Sequence, residues 1–142
     1  KTRVLQMLSD VGLGSKYQHY YPHQLSGGQR QRVALAVSLM LSPSLIIADE
    51  PVSALDASVQ AQILELLFKI NREKGVAFLF ISHNLSVVRS ICHRVAIMDD
   101  GKIVETGAID EVFDKPSTVV ASNLLKAETN YHPRSNRTIN SQ

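Results

Sequence analysis

A single cysteine, Cys92, stands in 142 residues, which excludes an internal disulfide framework and agrees with a reducing compartment. No apolar run approaches the roughly 18 residues that a membrane-spanning helix needs, so any hold on a membrane is expected to come through a partner. Basic residues form no large block and the formal net charge is only +2, so the clustered cationic face of a nucleic-acid binder is missing. A phosphate loop is missing too. Gly14-Ser15-Lys16 is followed by Tyr17, and nowhere does the chain spell a glycine, four residues of any kind and then Gly-Lys-Ser or Gly-Lys-Thr. Tyr17, Tyr20 and Tyr21, with His19 and His23, match neither the spacing of a zinc site nor that of a base-stacking module, and are expected to pack at the surface. What is present is a 44% hydrophobic content, ample for the core of one domain or of a piece of one.

The stretch around which the rest is organised begins at Leu25-Ser26-Gly27-Gly28-Gln29. Ser26 and Gln29 have capping-box spacing ahead of a long apolar run, which marks a helix start. Two glycines in a first turn each cost roughly 1 kcal/mol against alanine in a helix interior, so they need a reason. One reason is bare amides pressed against an anion, a phosphate first of all, at the positive end of a helix. The other is a plain glycine turn that enters a helix. From Gln29 to Leu41 the sequence is apolar nearly all round after its first polar residues, which predicts a helix buried along most of its length. Ser42-Pro43 ends it, and Leu45–Ala48 then reads as a buried strand running into Asp49-Glu50-Pro51. Pro51 is expected to hold Glu50 in an extended backbone, and an acidic pair at a strand end suits magnesium and a nucleophilic water. Asp56 is placed either to cap the next helix or to contact something else.

Elsewhere, Val4, Leu5, Met7, Leu8 and Val11 have helical spacing up to a stop at Gly12. Val59, Ile63, Leu66, Leu67 and Ile70 make one face of an amphipathic helix from Ala57 to Lys74, closed by Gly75. Val76 to Ile81 is a second wholly apolar strand. Two such strands joined by a helix predict a parallel βαβ unit, doubly buried, whose C-terminal ends share a rim and so bring Asp49, Glu50 and His83 together. Beyond it come a short helix from Leu85 to Cys92, a hairpin turning on Asp99-Asp100-Gly101, and helical pieces at Ala108–Phe113 and Val119–Lys126. Residues 1–126 are expected to be folded, and the polar stretch 127–142 to be a disordered tail.

In order and spacing, Leu25–Gln29, Leu45–Glu50 and Ser53–Asp56 resemble the signature motif, Walker B motif and D-loop of the ATP-binding cassette (ABC) ATPases. Tyr21-Pro22-His23-Gln24 and Ser58-Val59-Gln60-Ala61-Gln62 are similar to the ATPase subunits of oligopeptide, dipeptide and nickel importers. The resemblance runs from about Val4 to Leu125 and implies an α/β fold, an ABC-type nucleotide-binding domain of the P-loop class with a parallel sheet core. The Walker A half of that domain is absent, so the chain is expected to be roughly the C-terminal half of an ATPase and inactive alone.

The resemblance further implies ATP and Mg2+ as ligands, with Asp49 holding the metal and Glu50 orienting the attacking water. His83 would be the switch histidine at the γ-phosphate. Ser26, Gly27, Gly28 and Gln29 would face that phosphate from across a dimer, and Asp56 would carry information between subunits. The implied partners are a second ATP-binding subunit, transmembrane permease subunits and, indirectly, an extracytoplasmic solute-binding protein, which puts the chain at the cytoplasmic face of the membrane. A DNA-repair ATPase shares these motifs but carries coiled-coil or zinc insertions, and only Arg30 to Ser44 separate signature from Walker B here. A non-catalytic relic pairing with an intact ATPase is the other alternative.

Overall fold

A computed structural model describes the backbone of residues 2–130 and the side chains of residues 2–127. The described residues divide into two units, with the division between His83 and Asn84.

In the first unit, α1 (Thr2–Asp10) is followed by two 3-10 turns, Ser15–His19 and Pro22–Gln24, across the tyrosine-rich stretch. Then come α2 (Gly27–Leu39), β1 (Leu45–Asp49), α3 (Ala57–Lys74) and β2 (Ala77–Ile81). Helix α1 stops where Gly12 takes φ 73°, a value glycine reaches without penalty. Its end is tied to that of α3 by an ion pair between Asp10 and Lys74 at 2.8 Å. Gly75 closes α3 in the left-handed conformation. Ile63 and Ile70 on α3 are almost wholly enclosed, as is Val11.

Strands β1 and β2 pair in parallel, with Leu45 opposite Ala77 and Asp49 opposite Ile81. The expectation of doubly buried strands is corrected here. Ile46 and Ala48 are buried, while Leu45, Ile47, Leu79 and Ile81 keep 46–63% of their surface exposed. Side chains alternate across a strand, and only one face of this pair is covered. Helix α2 is likewise less enclosed than its composition predicts: Leu35, Ala36 and Leu39 are buried, whereas Val37 is 65% exposed.

The second unit contains α4 (Leu85–Ile91), an antiparallel hairpin of β3 (Arg94–Asp99) and β4 (Lys102–Ala108), α5 (Ile109–Asp114) and α6 (Val119–Asn130). Asn84 caps α4 by accepting from Val87 N at 3.1 Å, which an aspartate would do equally well. Asp100 and Gly101 both take positive φ at the hairpin tip, the requirement of a tight turn that matches strand twist. Ile97, Val112 and Ala121 form its core, with Val95, Val104 and Val120 packed around them. The buried carboxylate of Glu105 accepts from Ser117 N (2.8 Å), Thr118 N (2.9 Å) and Thr118 Oγ1 (2.8 Å), and the same hydroxyl oxygen accepts from Ala121 N, so α6 is held at its start. Helix α6 runs to Asn130, past the position where the polar tail is predicted to begin; the remainder of that tail, 131–142, lies outside the described residues. No helix among the described residues is long and apolar enough to cross a membrane.

Candidate functional site

Parallel pairing decides which side chains meet. With Asp49 in register with Ile81, the residues just past each strand lie at one rim. There Glu50 N donates to Ile81 O at 2.9 Å, extending the ladder by one bond. The Glu50 side chain crosses to the other strand's exit. Its Oε1 accepts from His83 N at 3.1 Å and lies 2.7 Å from His83 Nδ1, linking residues 33 apart in sequence. The imidazole bond is the main reason the Glu50 carboxyl is held below its ordinary value; partial burial opposes it, and the His83 backbone N–H adds to the lowering. The second oxygen, Oε2, is shut off from solvent without a hydrogen-bond partner. Asp49 is exposed at the strand end.

The backbone at Glu50 departs from expectation. Its φ is +46°, in the left-handed region, although Pro51 favours an extended predecessor. Such a conformation costs an L-residue about 1–2 kcal/mol. Three bonds compete with that cost: the Glu50 amide continues the sheet, its carbonyl accepts from Ser53 Oγ at 3.1 Å, and its carboxylate reaches His83. Strain of this kind persists where the surroundings over-determine it.

The second group of predicted residues forms the start of α2. Ser26 is the N-cap, and its Oγ accepts from Gln29 N at 3.3 Å while Gln29 Oε1 accepts from Ser26 N at 3.0 Å. This is the reciprocal capping box that the spacing predicts. The other end of the Gln29 carboxamide donates through Nε2 to the Tyr17 hydroxyl at 3.0 Å. The glycines have a packing reason that sequence reasoning missed. A Cβ at Gly28 would lie 2.4 Å from Val59 Cγ1, and one at Gly27 would lie 3.2 Å from Leu55 Cδ2. Gly28 is buried and Ser26 exposed. The turn therefore rests on the residues that flank Asp56, and Asp56 itself takes the capping alternative, accepting from Val59 N at 3.0 Å.

At the rim, Asp49 is exposed at the strand end, and its carboxylate fits a hard divalent cation such as Mg2+, which takes one or two carboxylates and draws its other ligands from water and phosphate. No group of three or more His, Cys, Asp or Glu side chains able to hold a metal alone occurs among the described residues.

Comparison with known proteins follows the same lines. The family described as "ABC transporter" matches residues 1–53. The glutathione import ATP-binding protein GsiA of Pectobacterium atrosepticum is 52% identical over 125 residues, covering 88% of this chain and 20% of that protein. The oligopeptide transport ATP-binding protein OppF of Streptococcus pyogenes is 47% identical over 127 residues, 89% of this chain and 41% of its own length. The chain thus spans well under half the length of these two relatives. A solved dimeric post-hydrolysis state of the ATP-binding cassette MJ0796, bound to ADP and Pi, superposes with a TM-score of 0.65 at 35% identity, covering 76% of this chain and 46% of that one. On sequence and on fold, the chain belongs to the ATP-binding cassette (ABC) transporter family.

Proposed function

We propose that this chain supplies the signature turn and the hydrolytic rim of an ATP-binding subunit that powers import of peptides, or of a related small solute, through membrane-bound permease subunits. The observation that carries the reading is Glu50: strained in its backbone, held at one oxygen by His83 and left without a partner at the other. A carboxylate fixed in that way is ready to orient and polarise a water molecule for attack on a phosphoryl group.

Lowering of its proton affinity by His83 keeps Glu50 ionised and able to accept that water's hydrogen bond. Asp49, free at the strand end, holds the metal side of the nucleotide through water. Mg2+ bound there supplies charge neutralisation on the phosphate oxygens. His83 engages Glu50 through Nδ1, so Nε2, which is a donor only in the imidazolium form of the ring, is the nitrogen left to face the terminal phosphate. Across the seam of two such subunits, Ser26 presents its hydroxyl and the first turn of α2 its amides to the same phosphate. Loss of that phosphate removes the partner these donors share, so closure follows binding and opening follows hydrolysis. Asp56, whose helix start carries the glycine turn, links the two halves of the seam. The names of GsiA and OppF support glutathione or an oligopeptide as the transported solute; a subunit of that kind works at the cytoplasmic face of the membrane beside its permease.

The test is Glu50→Gln in the complete ATP-binding subunit that contains these residues. The expected result is ATP binding and ATP-dependent pairing close to the parent's, with turnover reduced by roughly 100-fold or more. Turnover near the parent's rate would remove Glu50 from the chemistry.

A further inference from the structure

We propose that Tyr17 is a positioning residue for the signature turn. It acts through the Gln29 carboxamide to keep Ser26 aimed outward, and the proposal rests on the phosphate-facing reading of that turn given above.

The argument is one of hydrogen-bond accounting. The Gln29 side chain has one oxygen and one NH2 group, and the two ends do different work. Oε1 accepts from Ser26 N at 3.0 Å, which sends the NH2 end the other way, where the Tyr17 hydroxyl oxygen accepts from Nε2 at 3.0 Å. With both ends occupied, the carboxamide has one orientation. Its reversal would set an NH2 group against the Ser26 amide donor. The Gln29 backbone N–H in turn donates to Ser26 Oγ at 3.3 Å. Since that oxygen is already an acceptor, its own hydrogen is left to point away from the helix, and Ser26 is exposed. The chain Tyr17, Gln29, Ser26 therefore leaves a serine O–H donor facing solvent with its main-chain N–H already satisfied.

Tyr17 is itself well placed to act as a fixed post. It sits in the 3-10 turn Ser15–His19, its amide donates to Gly14 O at 3.1 Å, its ring packs on Tyr20 at 5.0 Å between centroids, and the Lys16 ammonium lies 5.3 Å from the ring centre. Half-buried and anchored on several sides, the hydroxyl is fixed before any ligand arrives. A helix cap alone requires only Ser26 and Gln29. The third member has no capping role, so its contribution lies in holding in place the NH2 end of a carboxamide that the Ser26 amide has already oriented.

Tyr17→Phe deletes one oxygen and keeps the ring. In the 142-residue chain, amide hydrogen exchange at Ser26 is expected to speed up by roughly three- to tenfold, the range for one neutral hydrogen bond, with exchange at Ile63 in α3 unchanged. In the complete subunit, half-saturating ATP is expected to rise by a similar factor of roughly three to ten while maximal turnover stays within about twofold, because Glu50 and His83 are untouched. In a Gln29→Met background, Tyr17→Phe is expected to have no further effect. The proposal is overturned by unchanged Ser26 exchange, by an effect that persists in the Gln29→Met background, or by a loss of turnover that tracks a lowered unfolding midpoint with half-saturating ATP unaltered. A normal half-saturating ATP in Gln29→Met overturns the phosphate-facing reading and this proposal with it. A raised value in Gln29→Met, with Tyr17→Phe silent in the parent background, overturns the part of Tyr17 alone.

Discussion

Gly28→Ala adds one methyl group to a glycine for which two explanations compete, contact with an anion and packing against α3. Built on the existing backbone, that methyl lies 2.4 Å from Val59 Cγ1 and 3.8 Å from Val59 Cβ. Carbon atoms prefer roughly 3.5–4.0 Å, so the first contact is about 1 Å too close. Val59 cannot yield easily. It is β-branched within a helix, where one rotamer dominates, and its backbone N–H is bound to Asp56 Oδ1 at 3.0 Å. Overpacking of this kind costs about 1–3 kcal/mol, and replacing glycine by alanine in a helix returns up to about 1 kcal/mol. With the full return, the net expectation is destabilisation by up to about 2 kcal/mol, read as a lowered urea midpoint. A double-mutant cycle with Val59→Ala isolates the clash. With that side chain shortened, Gly28→Ala becomes neutral or stabilising, and the coupling reaches about 1–3 kcal/mol. Turnover in the complete subunit returns toward the parent value in the double variant. Gly28→Ala that raises the midpoint in the parent background, or a cycle additive within about 0.5 kcal/mol, would refute the packing argument. Turnover still lost in a double variant of restored stability would give the glycine back to the ligand.

Asp56→Ala removes the cap of α3 and is expected to lower stability by about 1 kcal/mol in urea unfolding, while Asp56→Asn keeps the cap and the stability; turnover lost in Asp56→Asn then reports the charge rather than the fold. Glu105 yields a pH dependence. Its carboxyl is drawn down from 4.5 to about 2, chiefly by the Ser117 backbone N–H and further by Thr118, against the opposing effect of burial. A depressed acid stabilises the fold above its unfolded value and loses that contribution as pH falls from about 4.5 toward about 2. The unfolding midpoints of the parent and of Glu105→Gln, measured from pH 7 down, are expected to converge across that window, and curves that stay parallel would count against the assignment.

Periodicity carried most of the fold because its elements report on themselves. The α3 span, its stop at Gly75 and the hairpin at Asp100-Gly101 each follow from residues whose local conformational preference agrees with the final structure. The errors concern environment rather than element type. Leu45, Ile47, Leu79 and Ile81 are as apolar as any buried strand, and a strand's composition states what its two faces could bury but not how many faces are covered. The 3-10 turns around Tyr17 and Pro22 carry no period to detect, so that stretch was legible only as a surface.

The site divides in the same way. The meeting of Glu50 and His83 could be foreseen because parallel register is a geometric constraint: once two strands pair, their exits share a rim whatever lies between. The glycines could not be assigned, because the missing Cβ of Gly28 leaves the same mark in a sequence whether a phosphate or a valine occupies the space. Only the position of Val59, fixed by the Asp56 cap, distinguishes them. The two explanations also join at this point. The glycine turn is seated on the first residues of α3, whose start Asp56 holds, so a ligand that engages the turn as proposed is expected to be felt at Asp56 through packing.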